Sequence, residues 1–264
     1  MTHPNEQISM RNTMTSHHGA RWGTVLPFLL ALAGCGGGGG DETPPPVTAE
    51  RCFPQVSTVT TVGARAAIDI KFSADGADLP LVHLTATVKP PAAFEGQLHS
   101  MIEITSTASS LMLTDEAYAD IAPDGTITAY GTASRRASGN AEFAYTQVYE
   151  PPCVTPAQWR TARVGDTLTQ TCTLNTLVDG HAGDTATSTT RQRFEGVESI
   201  TTGAGRFDAC KFTVLPQQAT DGTTTNWVIP SVQFTPLTIK SVTTDPSGKV
   251  VGTAEVTSLT TSVN

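Results

Sequence analysis

The chain has 264 residues, 38% of them hydrophobic, 15% charged and 6% aromatic, with 23 glycines, 17 prolines and a formal net charge of −8. This acidic balance excludes nucleic acid as a partner, because there is no basic patch to neutralise phosphates. The absence of strand–helix–strand alternation excludes the nucleotide-binding α/β folds.

In chain order the first feature is the run from Trp22 to Gly34, containing Val25, Leu26, Phe28, Leu29, Leu30 and Leu32. It is long enough for the apolar core of a signal peptide and too short to span a bilayer. It ends in Leu32-Ala33-Gly34-Cys35, which resembles a bacterial lipobox. The resemblance implies cleavage between Gly34 and Cys35 and acylation of Cys35, with diacylglycerol and palmitate-type chains anchoring the protein. Residues 1–34 are therefore expected to be a lipoprotein signal peptide starting at Met1 or Met14. An ordinary secretory signal with Cys35 left free is the alternative, and an unpaired exposed thiol counts against it. Residues 35–50 hold Gly36 to Gly40 and then Pro44-Pro45-Pro46, a flexible tract followed by a stiff one, which read as a tether. Glycine, not aspartate, follows Cys35. In the Gram-negative lipoproteins that this resembles, that favours delivery to the outer membrane; the expected orientation is toward the periplasm, with exposure at the cell surface as the alternative. Losing residues 1–34 removes Arg11, Arg21 and Glu6, two positive charges and one negative, which takes the net charge from −8 to −9.

Residues 51–264 are expected to form a single β domain. Ile68, Ile70 and Phe72 alternate with Asp69 and Lys71, and Val82, Leu84, Ala86 and Val88 alternate with His83, Thr85, Thr87 and Lys89. This period of two marks strands with one buried face. Leu98, Ile102 and Ile104 continue the pattern, and further strands are expected around 126–130, 143–149, 167–174, 189–200, 207–214, 232–239 and 250–259. Asp124-Gly125 and Ser247-Gly248 suggest tight hairpins, and Thr202-Gly203-Ala204-Gly205 a slightly longer one. Only 114–119 invites a helical turn. The expected fold is all-β, a strongly curved antiparallel sheet or incomplete barrel of about ten strands. Val62-Gly63 and Asp75-Gly76 are echoed by Val164-Gly165 and Asp179-Gly180, and Phe94-Glu95-Gly96 by Phe194-Glu195-Gly196. The echo points to internal duplication, with chance recurrence in a low-diversity sequence as the alternative.

Four cysteines remain beyond Cys35, namely Cys52, Cys153, Cys172 and Cys210. In an oxidising compartment they read as two disulfides with three open connectivities. Cys172 shares the parity of Leu168 and Leu174, and Cys210 that of Phe212 and Val214, so both point inward. Local closure favours Cys153 with Cys172, leaving Cys52 for Cys210. No C-x-x-C pair or nearby histidine supports zinc, so no metal site is expected.

The stretch from Phe194 through Gly196, Gly205 and Phe207 to Cys210 and Phe212, with Thr225-Asn226-Trp227-Val228 downstream, is similar to a hairpin recurring in exported proteins of unknown function. The resemblance covers mainly residues 160–260. It implies an outer-membrane lipoprotein family with a curved antiparallel sheet akin to the unclosed barrel of the Lol lipoprotein carriers, and no enzymatic activity. Pro230 and Pro236 stand where that family has a glycine-rich segment.

Catalytic signatures are missing. There is no G-x-S-x-G, no metal-binding histidine spacing, and Asp115 and Glu116 are adjacent and so diverge on a strand. His83 and His99 fall on the polar parity of their strands, and His181 in a turn. The segments 73–78 and 179–184 could be drawn as calcium loops, although Asp-Gly in a β protein usually marks a turn. The expected function is a non-catalytic, lipid-anchored envelope lipoprotein with a structural or interaction role. No cofactor is expected; its partners would be the membrane, through the anchor, and another envelope protein. The alternative is a carrier or sensor of an apolar, lipid-like ligand on the concave sheet face. Replacing Cys35 with Ser should move the protein from the membrane to the soluble fraction on cell fractionation; unchanged membrane association would contradict lipidation.

Overall fold

The computed structural model describes residues 47–54, 60–109, 111–138, 141–218, 220–232 and 235–262, leaving the side chains of 111, 135–138 and 141–143 aside. The expected signal peptide, the expected lipidation site at Gly34 and Cys35, and most of the expected tether lie outside the described residues.

Among the described residues thirteen strands form one antiparallel sheet. They are β1 (Arg65–Ala74), β2 (Ala77–Asp78), β3 (Val82–Phe94), β4 (Gln97–Ala108), β5 (Leu111–Ile121), β6 (Ile127–Ser138), β7 (Ala141–Thr155), β8 (Thr167–Val178), β9 (His181–Thr202), β10 (Gly205–Val214), β11 (Thr223–Ile229), β12 (Leu237–Thr244) and β13 (Val250–Ser262). Apart from two-residue β2, which flanks β1, each strand pairs with the next in sequence, and β13 pairs back onto β1. The result is a closed up-and-down barrel. The expected all-β fold, a strongly curved antiparallel sheet or incomplete barrel of about ten strands, is thus found, in detail as a closed ring of twelve; closure separates it from the unclosed Lol-type sheet.

Two departures from the expected strands have identifiable causes. Residues 114–119, expected as a helical turn, lie inside β5, which is paired along its length with β4 and, from Leu113, with β6. Ladder pairing on both sides overrides the weak helical preference of Asp-Glu-Ala. The strand expected at 232–239 is displaced, because Pro230 and Pro236 bracket a loop between β11 and β12 and proline cannot donate to a central ladder.

Parity settles which face is inside. Ala66, Ile68, Ala86, Val88, Ile102, Ala119 and Ile127 share one apolar cluster with Ile239 and Val256. The opposite parity carries Asp69 with His83 (2.6 Å) and Lys89 with Glu103 (2.8 Å). Charged residues on the outer wall are costly against lipid, so this exterior suits water. Asp115 and Glu116 diverge: Asp115 accepts a hydrogen bond from Ser134, and Glu116 one from the Tyr118 hydroxyl at 2.7 Å.

The turns carry their own chemistry. Asp75-Gly76 and Asp179-Gly180 adopt nearly the same left-handed geometry, with φ of 49° and 81° in the first and 49° and 79° in the second. Glu95-Gly96 shares it, with φ of 49° and 78°, so the likeness is that of a common hairpin turn and does not bear on duplication. Phe94-Glu95-Gly96 forms the β3–β4 turn, whereas Phe194-Glu195-Gly196 lies inside β9, where the β9–β10 register shifts. At the β12–β13 turn Asp245 accepts hydrogen bonds from the Ser247 hydroxyl (2.6 Å) and the Ser247 and Lys249 amides. These bonds hold its carboxyl below the usual range.

The β3–β4 tip is fastened to β5 and β6 by aromatic stacking. Phe94 stacks on Tyr118 with ring centroids 4.5 Å apart, and His99 on Tyr130 at 3.7 Å. His99 also donates from Nδ1 to Asp120 at 2.9 Å and is 5% exposed. It keeps the polar parity expected of it but is buried by this fold-over. Gly131 makes the close approach possible, since a Cβ there would sit 2.0 Å from the Gln147 carbonyl oxygen and 2.6 Å from the Phe94 ring. Gly131→Ala should therefore destabilise the domain by about 1–3 kcal/mol, the usual cost of overpacking. A urea midpoint equal to the wild type would contradict the close approach.

Candidate functional site

An eight-stranded barrel is about the size that its own side chains can fill, so a ring of twelve needs additional filling. Two short segments supply it at one end. One contains the 3-10 turn Glu50–Cys52 and the other the 3-10 turn Ala157–Trp159. They are joined by a Thr48–Arg163 bridge and by the Ala49 amide donating to the Ala162 carbonyl at 3.1 Å. Ala49, Cys52, Phe53, Trp159 and Ala162 pack with Leu168, Phe194, Cys210, Phe212 and Val228 in a second apolar cluster.

The cysteines stand at these junctions. Cys52 is bonded to Cys210 with Cα atoms 5.9 Å apart, and Cys153 to Cys172 at 5.3 Å. The first bond fixes the incoming N-terminal segment to β10; the second crosses from β7 to β8.

A recess of about 310 Å³ remains beside this plug. Its apolar wall is Phe53, Ile127, Trp159, Phe212 and Val228, and its polar groups include Thr155, Gln170, Gln192, Asn226 and Thr238. No lining side chain is charged. Gln170 donates from Nε2 to the Val154 carbonyl (3.0 Å) and the Thr155 hydroxyl (2.9 Å). The side-chain amides of Gln192 and Asn226 have no hydrogen-bond partner among the described residues. Sequence reasoning missed this site. Its one legible sign was a glutamine, Gln170, on the same parity as Leu168 and Cys172.

A second, shallower recess of about 550 Å³ lies by Val47, Arg51, Val164 and Gly196. Its carboxylates are already engaged. Arg193 hydrogen-bonds Glu195 and holds its carboxyl below the usual range, while Asp208 pairs with Arg51 at 3.6 Å and Glu198 with Lys211 at 3.7 Å. Trp227 donates its indole N–H to Glu198 and lies between Lys211 and Lys240, 5.4 and 5.7 Å from its ring centre. These contacts give Trp227 a packing role.

The remaining candidate groups stay apart. Among the described residues no three His, Cys, Asp or Glu side chains converge as a metal site. Of the segments drawn as calcium loops, Asp78 pairs with Lys71 at 2.9 Å and Asp179 accepts the Ala144 amide at 3.0 Å. His83 is engaged by Asp69. Near His99, burial and then the Asp120 charge push the Tyr130 hydroxyl above its usual range, which opposes its ionisation.

No protein-family model matches the chain, and no curated protein does. Solved structures are similar to it, among them the following two. One is a Bacteroides fragilis protein described, by inference, as exported and as having a YmcC-like fold; at 14% identity the match covers 81% of this chain and 99% of that one, with a TM-score of 0.44. The other is a Parabacteroides distasonis protein described, by inference, as a lipoprotein; at 13% identity it covers 80% and 99%, with a TM-score of 0.36. Likenesses at these scores bear on neither ligand nor mechanism.

The disulfides yield a quantitative expectation. Cys52–Cys210 spans 158 residues and Cys153–Cys172 spans 19. On loop entropy alone, removing the first should cost about 5 kcal/mol and the second about 3 kcal/mol. Urea titration of the Cys52→Ala/Cys210→Ala and Cys153→Ala/Cys172→Ala variants should reproduce that order; the reverse order would contradict the role given to the N-terminal bond.

Proposed function

We propose that this chain is a lipoprotein held in the outer membrane through acylated Cys35, facing the periplasm, with a non-catalytic β barrel that serves a structural or interaction role. The observation that carries this reading is the filling of the barrel. The inward faces that alternate as Ile68, Ile70, Leu84, Ile102 and Ile104 pack in one cluster with Val256 of the neighbouring β13 and with Ile127, Ala209 and Ile239 of β6, β10 and β12. Leu168 and Phe212, on the other half, are covered by Phe53 and Trp159. A lipid carrier needs an open apolar concavity, and here side chains occupy that volume.

The position of Cys52 adds support. It stands just after the tether and is bonded to β10, so a pull on the anchor is delivered to the barrel wall through a covalent bond and not through a few backbone contacts. The engaged carboxylates and scattered histidines favour the non-catalytic reading, since a general acid or base needs a reachable substrate position.

Titration of the full chain with a fluorescent fatty-acyl probe tests the proposal. No saturable binding is expected. Stoichiometric binding abolished by Ile102→Asp in a still-folded protein would overturn it in favour of an apolar-ligand carrier.

A further inference from the structure

We propose that the recess beside the plug is a binding site for a single neutral saccharide ring. The inference goes beyond the non-catalytic reading and does not depend on the lipid anchor.

The lining selects the ligand class by elimination. A charged ligand entering this recess would lose hydration and find no ionic side chain in its lining. The Arg160 guanidinium, 5.7 Å from the centre of the Phe53 ring, is not part of that lining and donates to the Pro54 carbonyl. A hydrocarbon chain would strand the amides of Gln192 and Asn226, which have no partner among the described residues. Each of these amides offers both donors and an acceptor. They are set by the ladders on either side of β10, where Phe212 is opposite Asn226 and Val214 opposite Gln192. Gln170 is held by Val154 and Thr155 through its nitrogen, which leaves its oxygen as a further acceptor.

Aromatic surface stands beside these amides. Phe53, Trp159 and Phe212, each less than a tenth exposed, line the same recess. A pyranose has this dual character, with a C–H face that packs on aromatic carbon and a rim of hydroxyls that both donate and accept. The volume of about 310 Å³ is at the small end of the range of ligand pockets, about 300–1,000 Å³, which suits one ring and not a chain of them. Thr235 and Thr238, both exposed, line the mouth, so a terminal sugar of a longer glycan and a free monosaccharide can both reach the site.

The test is calorimetric titration of the full chain with glucose, galactose and N-acetylglucosamine, each also as the terminal unit of a disaccharide, and with glucuronate as the charged comparison. One-site binding of at least one neutral sugar at millimolar concentration or below is expected, at least tenfold tighter than glucuronate. Asn226→Leu and Gln192→Leu should each weaken it at least tenfold. Equal affinity for monosaccharide and disaccharide would indicate a site for one ring, whether free or glycan-terminal. No binding by any neutral sugar to the wild type overturns the proposal, and that result needs no variant to fold. Binding unchanged in both folded variants, or equal binding of glucuronate, overturns it as well.

Discussion

The structure depends on one ladder. Ten residue pairs, from Arg65 opposite Ser262 to Ala74 opposite Gly252, join β1 to β13 and turn a meander into a ring. Without them both strands would present unpaired N–H and C=O groups along their length, an invitation to edge-to-edge association. The ladder absorbs the curvature at a register shift between Asp69 and Ile70, where the Thr257 hydroxyl donates to the Asp69 carbonyl at 3.3 Å. Closure is also what gives the alternating parity its meaning, because only in a ring does one face of every strand look toward the same interior.

A ring this wide creates a volume that the strands alone do not fill, and the rest of the architecture answers to it. The paired segments around Phe53 and Trp159 enter from one end. The β9–β10 tip reaches β13, where the Ala204 amide donates to the Val256 carbonyl at 3.3 Å and the Gly203 amide to the Glu255 carboxylate at 3.0 Å. Where the apolar rows stop, the inward parity becomes polar, as with Asp115, Ser134 and Asn226. Each disulfide sits beside this filling: Cys52 and Cys210 lie within the plug cluster, and Cys153 and Cys172 on neighbouring strands near it. The recess is a part of the interior left open among the described residues.

Much of the wall was legible in the sequence because a period of two is a direct record of burial. Ile68, Ile70, Leu84, Ile102, Ile104, Leu168 and Phe212 all fall on the parity assigned to them, and the same parity brings Cys172 and Cys210 inward. The pattern failed where a polar residue took an inward place for a local reason. Asp115 breaks the alternation of β5, and only its partner Ser134 on β6, a long-range contact, shows why. The frame of β12 was lost to Pro230 and Pro236, whose effect on a ladder depends on where the flanking strands pair. His99 followed its parity and was still buried, because burial came from the β3–β4 tip folding over the outer wall. The recess was hardest to foresee. Its walls come from Phe53, Trp159, Phe212 and Asn226, residues with no common period, brought together only by ring closure and by the plug.

The central claim is that the β1–β13 ladder is as firm as the ladders inside the sheet. Native-state amide hydrogen exchange measures this directly, since local opening and global unfolding give different protection. The amides that bond across β1 and β13, in the segments 66–72 and 254–261, should exchange only through global unfolding, at the same opening free energy as those across β4 and β5. Exchange of the β1–β13 amides through a separate, lower-energy opening, with β4 and β5 still protected, would contradict a closed ring.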